Sequence, residues 1–468
     1  MKKSMRFSEL VFFCLLFFYC PNVDAQTPFD GHSLLADSVE KHRVDSPAPV
    51  PKRFGRACLF LGLAEVVPWV YDRYVTKKDY TRISLGTIRY NLKPGSWAWD
   101  NDIFQTNQFG HPYHGSLFFN SFRVNGYNFW QSAPAVLAGS YIWESLAENQ
   151  APSPNDFINT SFGGIVLGEM THRLSRKLVN NNSRGVKRQV GEILAFVMNP
   201  MNGLTRITSG KWGKLQSGVY DSSAVSAEFD IGLRRFNTEN TTVEKGRMGL
   251  YTRVKLLYGH PHENYQTPFS NILINAEFGQ DDSTLLNTLN VYGTLAGWEL
   301  SAGEKGRHLA IVSANYDFIQ NNAFFYGGQS VKADLFSEYK LGRGIALNTS
   351  VGMGPVVLAA VPDKYLYKGR NYDYTSGLSL LGGCGLNIGN KLLLSIDYRG
   401  NWLHTINGNP SHYFLQVVQS EIRYVVHAGF SLSAESGHFT LNGNYKSLED
   451  VRNKYSYLRM SAKYSVNL

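Results

Sequence analysis

Between Trp97 and Arg173 the sequence gathers His111, His114, His172, Glu144, Glu148, Asp156, Asn159, Glu169 and Arg123 among apolar residues. Carboxylates and imidazoles held together in such surroundings can move protons. Glu148, Asp156 and His111 form the candidate catalytic set, an acid–base group for work on a lipid or glycan. Arg123, Glu144, Asn159 and Glu169 are the candidate binding residues. Glu144 and Glu148 stand one helical turn apart, as do Glu169 and His172. Two E-x-x-H helices can hold a di-metal centre, but only one occurs here. His111-x-x-His114 with a carboxylate has a zinc-like spacing. Neither ligand set is complete, so no metal and no cofactor is expected. The plainer reading makes these residues buried ion pairs and caps, with Arg123 pairing Glu144 or Glu148 and Asp156 capping its helix. The G-x-S-x-G signature of a hydrolase nucleophile is absent.

Helices must position these groups. Periodicity and prolines place helical stretches at Leu117–Val124, Ser132–Glu148, Asn155–Leu178 and Val186–Met198. Ser132 with Pro134 reads as one helix start, and Asn155 or Asp156 after Pro-Ser-Pro as the next. Gly163, Gly164 and Gly168 lie inside a helical pattern, where each costs roughly 1 kcal/mol against Ala. Three together point to close approach of another backbone. Upstream, Ala57–Val70 reads as one apolar helix ending near Pro68, short for a membrane span and suited to packing on protein. Residues 80–92 read as a strand.

The motif residues carry a resemblance. His111-Pro112 with Gly115, Arg123 with Asn125-Gly126, Ser132–Pro134, Glu144, Glu148, Pro152 with Asp156, Asn159, Gly163-Gly164 and Gly168-Glu169 resemble the domain of unknown function 3943 family. The resemblance covers about a quarter of the chain. It implies a bacterial envelope protein with a following barrel, and no activity. Its pattern includes Glu169 without His172, which weakens the metal reading further. Glu144, Glu148, Asp156, Asn159 and Gly163 also have a local likeness to VanZ-like proteins, which implies a link to envelope stress.

From about Asp221 the apolar period becomes two. Leu458, Met460, Ala462, Tyr464 and Val466 alternate with Arg459, Ser461, Lys463 and Ser465. The same holds around Met248–Tyr258, Ala310–Phe318, Val331–Leu341 and Leu392–Tyr398. Side chains on a strand alternate between faces, so one face is greasy and the other carries full charges. The runs are long enough to cross a bilayer as tilted strands. Strands in lipid must close into a barrel to pair their backbone groups. Arg253, Lys332, Lys340, Asp397 and Arg399 would then line a lumen. Tight turns are expected at Leu341–Gly344, Gly389–Lys391 and Ala434–His438. Longer loops are expected at Pro362–Tyr372, His404–Ser411 and Leu448–Tyr455.

The totals agree. The chain has 468 residues, net charge +9, 27 Tyr, 28 Phe and 44 Gly, with mean hydropathy -0.23. That is not a multi-span helical protein, and the lack of a long basic run argues against nucleic acid. Lys2, Lys3 and Arg6 before the apolar run Leu10–Tyr19 read as a signal peptide, residues 1–25, taking Cys14 and Cys20 with it. Cys58 and Cys384 remain, in different regions, with a disulfide open but not implied. The fold class expected is α+β: a linker over 26–55, a helical domain over 56–215 that carries the motif, and a transmembrane antiparallel β-barrel of about 12 strands over 216–468. The expected protein is an outer-membrane barrel with a periplasmic or lumen-plugging helical domain, serving envelope integrity or small-solute passage. The alternative is an envelope enzyme acting on lipid or glycan. Outer-membrane lipid is the expected partner, with a periplasmic protein as a further candidate on the apolar helix.

Overall fold

A computed structural model describes residues 51–179, 182–215, 223–236, 246–261, 265–281, 284–300, 306–320 and 325–467. The signal peptide and most of the expected linker lie outside the described residues.

Twelve antiparallel strands form a closed barrel in sequence order. They are β1 (Val225–Phe236), β2 (Arg247–Tyr258), β3 (Ile272–Asp281), β4 (Thr284–Leu300), β5 (Gly306–Gln320) and β6 (Phe325–Gly342). The others are β7 (Ile345–Pro362), β8 (Tyr372–Ile388), β9 (Leu392–Asn407), β10 (Ser411–His427), β11 (Phe430–Tyr445) and β12 (Val451–Asn467). β1 closes the ring on β12, with Ser226 opposite Asn467 and Phe229 opposite Tyr464. Closure leaves no strand edge, which is what a sheet in lipid requires.

Period two sorts the side chains as expected. On β12, Met460 is 74% exposed while its neighbour Lys463, of the other parity, is fully buried. Ile231, Leu233, Leu250, Val351, Ile396, Ile422 and Leu432 share the exposed, apolar outer face. One turn expectation and two loop expectations are corrected. Ala434–His438 lies within β11, and the tight turn sits at residues 428–429, since Ser431–Ala434 pair in register with Val425–Ile422. The loops expected at His404–Ser411 and Leu448–Tyr455 are shorter, because β9 continues to Asn407 and β12 begins at Val451.

The N-terminal half is helical. Its elements are α1 (Phe54–Tyr74), α2 (Leu85–Asn91), α3 (His111–Arg123), α4 (Phe129–Ile142), α5 (Pro154–Ile158), α6 (Gly164–Val179), α7 (Gly185–Met198) and α8 (Pro200–Thr208). The strand expected over 80–92 is absent. Ser84 accepts from the Thr87 N–H in a capping box and starts α2 instead. The first helix is 21 residues long and runs through Pro68, longer than the Ala57–Val70 reading. α4 is capped by Asn128 with Gln131, so Pro134 falls inside it. α5 is capped by Ser153 with Pro154 at its first position, so neither Asn155 nor Asp156 is the cap.

The glycines do what their clustering implied. A Cβ on Gly115 would stand 1.9 Å from the Thr160 carbonyl oxygen, and one on Gly164 would stand 2.6 Å from the Gly115 backbone. α3 and α6 touch backbone to backbone there, and only glycine permits it.

Helices meet the barrel on strand residues of the outward set. Ala314, Tyr316 and Phe318 of β5, Ile272 and Ile274 of β3, Leu358 and Ala360 of β7, and Tyr372 and Tyr374 of β8 share one apolar core with Phe104, Phe118, Phe119, Val166 and Leu167. Tyr258 and Ile272 border the β2–β3 connection at one rim. Tyr372 borders the β7–β8 loop at the opposite rim. The contact therefore runs obliquely from one end of the wall to the other.

Candidate functional site

Two π-helical turns, Thr106–Gly110 and Asn159–Gly163, lie where the helices meet the barrel wall, and a third, Trp143–Ala147, stands behind them within the helical domain. Such turns widen the helix and re-aim its side chains, and they recur at functional sites. At the seam, the Asn155 side-chain nitrogen lies 2.7 Å from Asp100 Oδ1, 2.9 Å from Asp156 Oδ1 and 2.7 Å from the Tyr374 hydroxyl. The Asn107 nitrogen lies 2.6 Å from the hydroxyls of both Tyr372 and Tyr374. Arg370, in the loop before β8, donates to the Asp100 carbonyl at 3.0 Å. Gln329 of β6 donates to Asn159 Oδ1 at 3.1 Å, and Tyr316 of β5 donates to the Gln108 carbonyl. A buried polar seam thus fixes the helical domain on the wall.

Of the expected catalytic set, His111 and Asp156 come together. His111 Nε2 is 3.3 Å from Asp156 Oδ1, and His111 Nδ1 is 3.3 Å from the Thr160 hydroxyl. Hydroxyl, imidazole and carboxylate stand in line, the order that activates a hydroxyl nucleophile. Thr160 is 3% exposed, so the line is a buried relay with no open approach. Glu148 stands apart, in the connection after α4, accepting from Trp143 Nε1 at 2.7 Å. Burial pushes its carboxyl up to about 7, against the Trp143 hydrogen bond and helped by Asp102, Asp100 and Asp72. Asp102, in the segment before the first π turn, is also raised, by burial and then by Asp100. Glu144 accepts the Ser153 backbone N–H at 2.8 Å and so supports the turn into α5.

Arg123 does not reach Glu144 or Glu148. It pairs with buried Glu169, through Nε at 2.7 Å and Nη2 at 3.1 Å, and Arg173 adds a third contact at 2.9 Å. This two-to-one cluster ties α3 to α6. Arg173 reaches on to the Pro268 carbonyl of the β2–β3 connection at 2.7 Å.

His114 has a structural task. Pro68 has no N–H for the Ala64 carbonyl one turn before it. His114 Nε2 lies 2.9 Å from that oxygen and replaces the missing donor. His172 is buried with neither ring nitrogen hydrogen-bonded among the described residues. No group of three or more His, Cys, Asp or Glu among the described residues could hold a metal. Cys58 and Cys384 are both free thiols.

The sequence reading missed Asp100, Asn107, Asn155, Arg173, Tyr372 and Tyr374. Asp100 sits in the conspicuous Trp-Ala-Trp-Asp-Asn-Asp run, a usable signal. The tyrosines had none, because an outward Tyr on a barrel strand reads as an interfacial residue.

The lumen is filled by the strands themselves. Arg253 holds Asp230 at 2.6 Å and Glu435 at 3.0 Å. Arg459 holds Glu277 at 2.9 Å and Glu435 at 3.3 Å. Arg423 holds Glu228 at 2.8 Å, and Lys463 holds Glu421 at 2.5 Å. Towards the loop rim, Tyr413 donates to Asp373 and Tyr445 to Asp363, at 2.8 and 2.9 Å. They sit beside an apolar cluster of Tyr326, Val356, Val361, Leu403, Leu415 and Leu441. A small cavity remains, lined in part by Asp317, Lys332, Ser379, Arg399 and Asn401.

Residues 96–201 match the family described as Domain of unknown function (DUF3943), which covers the helical motif and stops before the barrel. No curated protein matches the chain. Among solved structures, the chain is similar to the NanC porin, with 8% identity and TM-score 0.31, over 50% of this chain and 98% of that one. It is also similar to the outer membrane channel DcaP of Acinetobacter baumannii, with 7% identity and TM-score 0.25, over 52% and 96%. For the KdgM porin the figures are 8%, 0.26, 50% and 98%. Likeness at this level adds nothing to the barrel topology already described.

Proposed function

We propose that this protein is an outer-membrane barrel whose lumen is closed by its own ion pairs and whose wall carries a helical domain, so that it serves envelope integrity. The observation that carries the reading is the luminal network. Arg253 links β2 to β11 and Arg459 links β12 to β3, so charged side chains bridge strands that are not neighbours. Opening a path there means separating buried charges, each separation costing about 3–5 kcal/mol. The helical domain takes its place on the outer wall, where the apolar core and the polar seam are, rather than in the lumen or below it. No part of this reading rests on the likeness to VanZ-like proteins.

Small-solute passage is the second reading. It is favoured by the cavity beside Lys332, Arg399 and Asp317 on the less densely charged side of the lumen. Conductance of the purified protein in planar bilayers separates the two. The closed-lumen reading expects no steady current at neutral pH. A stable ohmic conductance would rule it out in favour of passage.

A further inference from the structure

We infer that the helical domain lies within the bilayer beside the barrel, with the outer faces of α1 and α4 against lipid acyl chains. The inference rests on the outer-membrane reading above and extends it to the other half of the chain.

The helix α1 is long and apolar enough to cross a membrane, and only 17% of its most apolar window is buried. Its 21 residues span ~31 Å at ~1.5 Å per residue, close to the ~30 Å hydrocarbon thickness. Between Cys58 and Val70 its exposed residues are Cys58, Leu59, Gly62, Val66, Val67 and Val70, with no charge among them. Charge and aromatic rings sit at the ends: Lys52 and Arg53 before it, Tyr71, Arg73 and Tyr74 at its close. That is the anchoring pattern of a spanning helix. α4 repeats the composition, exposing Trp130, Pro134, Leu137, Ala138, Tyr141 and Ile142, with Gln131 polar in the capping box.

Packing agrees. A helical domain in water would show its charges outward and its grease inward. Here Glu169, Glu144, Asp156 and Arg206 are buried while valines and leucines face out. The helices meet through glycines, as membrane helices do. The one carbonyl orphaned by Pro68 is met by His114, a repair that matters most where water cannot serve. The contact with the barrel runs from rim to rim across the same wall whose uncovered part, Ile231, Leu233, Met248 and Leu250, is the apolar belt. The helical surface continues that belt.

Spin-label accessibility in phosphatidylethanolamine–phosphatidylglycerol vesicles tests this on the full chain with Cys14→Ser and Cys20→Ser. Cys58 is exposed on α1, so the native residue takes the label once Cys384→Ser removes the other thiol. Val67→Cys and Leu137→Cys, each in a background of Cys58→Ser with Cys384→Ser, extend the test. Met460→Cys on the barrel belt and Lys368→Cys in the β7–β8 loop are the lipid and water references. The expected result is collision with oxygen and loss of collision with a water-soluble nickel chelate at Cys58, Val67 and Leu137, as at Met460. Helix labels that behave like Lys368, with Met460 in lipid, overturn the inference and leave the barrel reading intact. A Met460 label open to the chelate would overturn both.

Discussion

Replacing Glu435 with glutamine removes one charge from the centre of the lumen. Glu435 lies 3.0 Å from Arg253 and 3.3 Å from Arg459, and it accepts from the Tyr457 hydroxyl at 2.6 Å. Each arginine keeps a second carboxylate, Asp230 at 2.6 Å and Glu277 at 2.9 Å. Neither is stranded, so the loss falls at the lower end of the range for a broken buried pair, about 3 kcal/mol. Adding Glu277→Gln strips Arg459 of both partners. The two changes share that arginine, so their effects are not additive, and the double variant costs more than the sum of the singles. Urea unfolding of the barrel in lipid vesicles, followed by tryptophan fluorescence and by gel mobility without heating, reads both. A Glu435→Gln variant within about 0.5 kcal/mol of the parent, the usual scatter of surface changes, would refute the reasoning. It would mean that water already screens these charges and the lumen is open.

Three further outcomes follow from the helical half. Gly115→Ala forces a methyl group against the Thr160 carbonyl, 1.9 Å from the new Cβ. It should destabilise the helical domain by about 1–3 kcal/mol and speed its limited proteolysis while the barrel stays folded. His114→Ala leaves the Ala64 carbonyl unpaired, a loss of about 1–3 kcal/mol, measured by hydrogen exchange across α1. Glu148 binds its proton up to about 7 when folded, against an ordinary value of 4.5. Between those values the folded state holds more protons than the unfolded one. Its contribution is therefore present at acid pH and is lost as pH rises through that window. Protease resistance of the helical domain should fall from pH 5 to pH 8, and Glu148→Gln should flatten that slope.

Much of the barrel was legible because period two, once sustained beyond ten residues, leaves little freedom of register. The strand count and the segregation of Arg459 and Lys463 from Met460 and Tyr464 followed directly. Turn positions suffered where small polar residues occur inside a strand. Ala434–His438 has turn composition, yet barrel pairing on both sides overrides it. Residues 80–92 misled for the reverse reason: an alternating look was outweighed by one local capping box at Ser84. The candidate residues were found as types but not as partners. His111 and Asp156 sit on different helices and meet only in the packed fold, while Thr160 joins them from a π turn, which spacing at 3.6 per turn cannot show. Arg123 chooses Glu169 because Gly115 and Gly164 draw α3 onto α6. The place of the domain was the least legible. Outward Tyr372 and Tyr374 look like any interfacial tyrosines until Asn107 and Asn155 are seen beside them.

The seat of the helices on the wall is tested most directly by a cysteine pair across the seam. Gln108→Cys and Gly327→Cys put the two Cβ atoms side by side, since a Cβ on Gly327 would stand 2.8 Å from that of Gln108, and a small shift brings them to disulfide spacing. The four native cysteines are changed to serine. The expected product, in intact cells under mild oxidation, is an intramolecular disulfide that joins the helical domain to β6 and is reversed by reductant. Protein that folds and inserts yet stays uncrosslinked, while a pair linking the helices to luminal Asp317 crosslinks instead, would contradict the account.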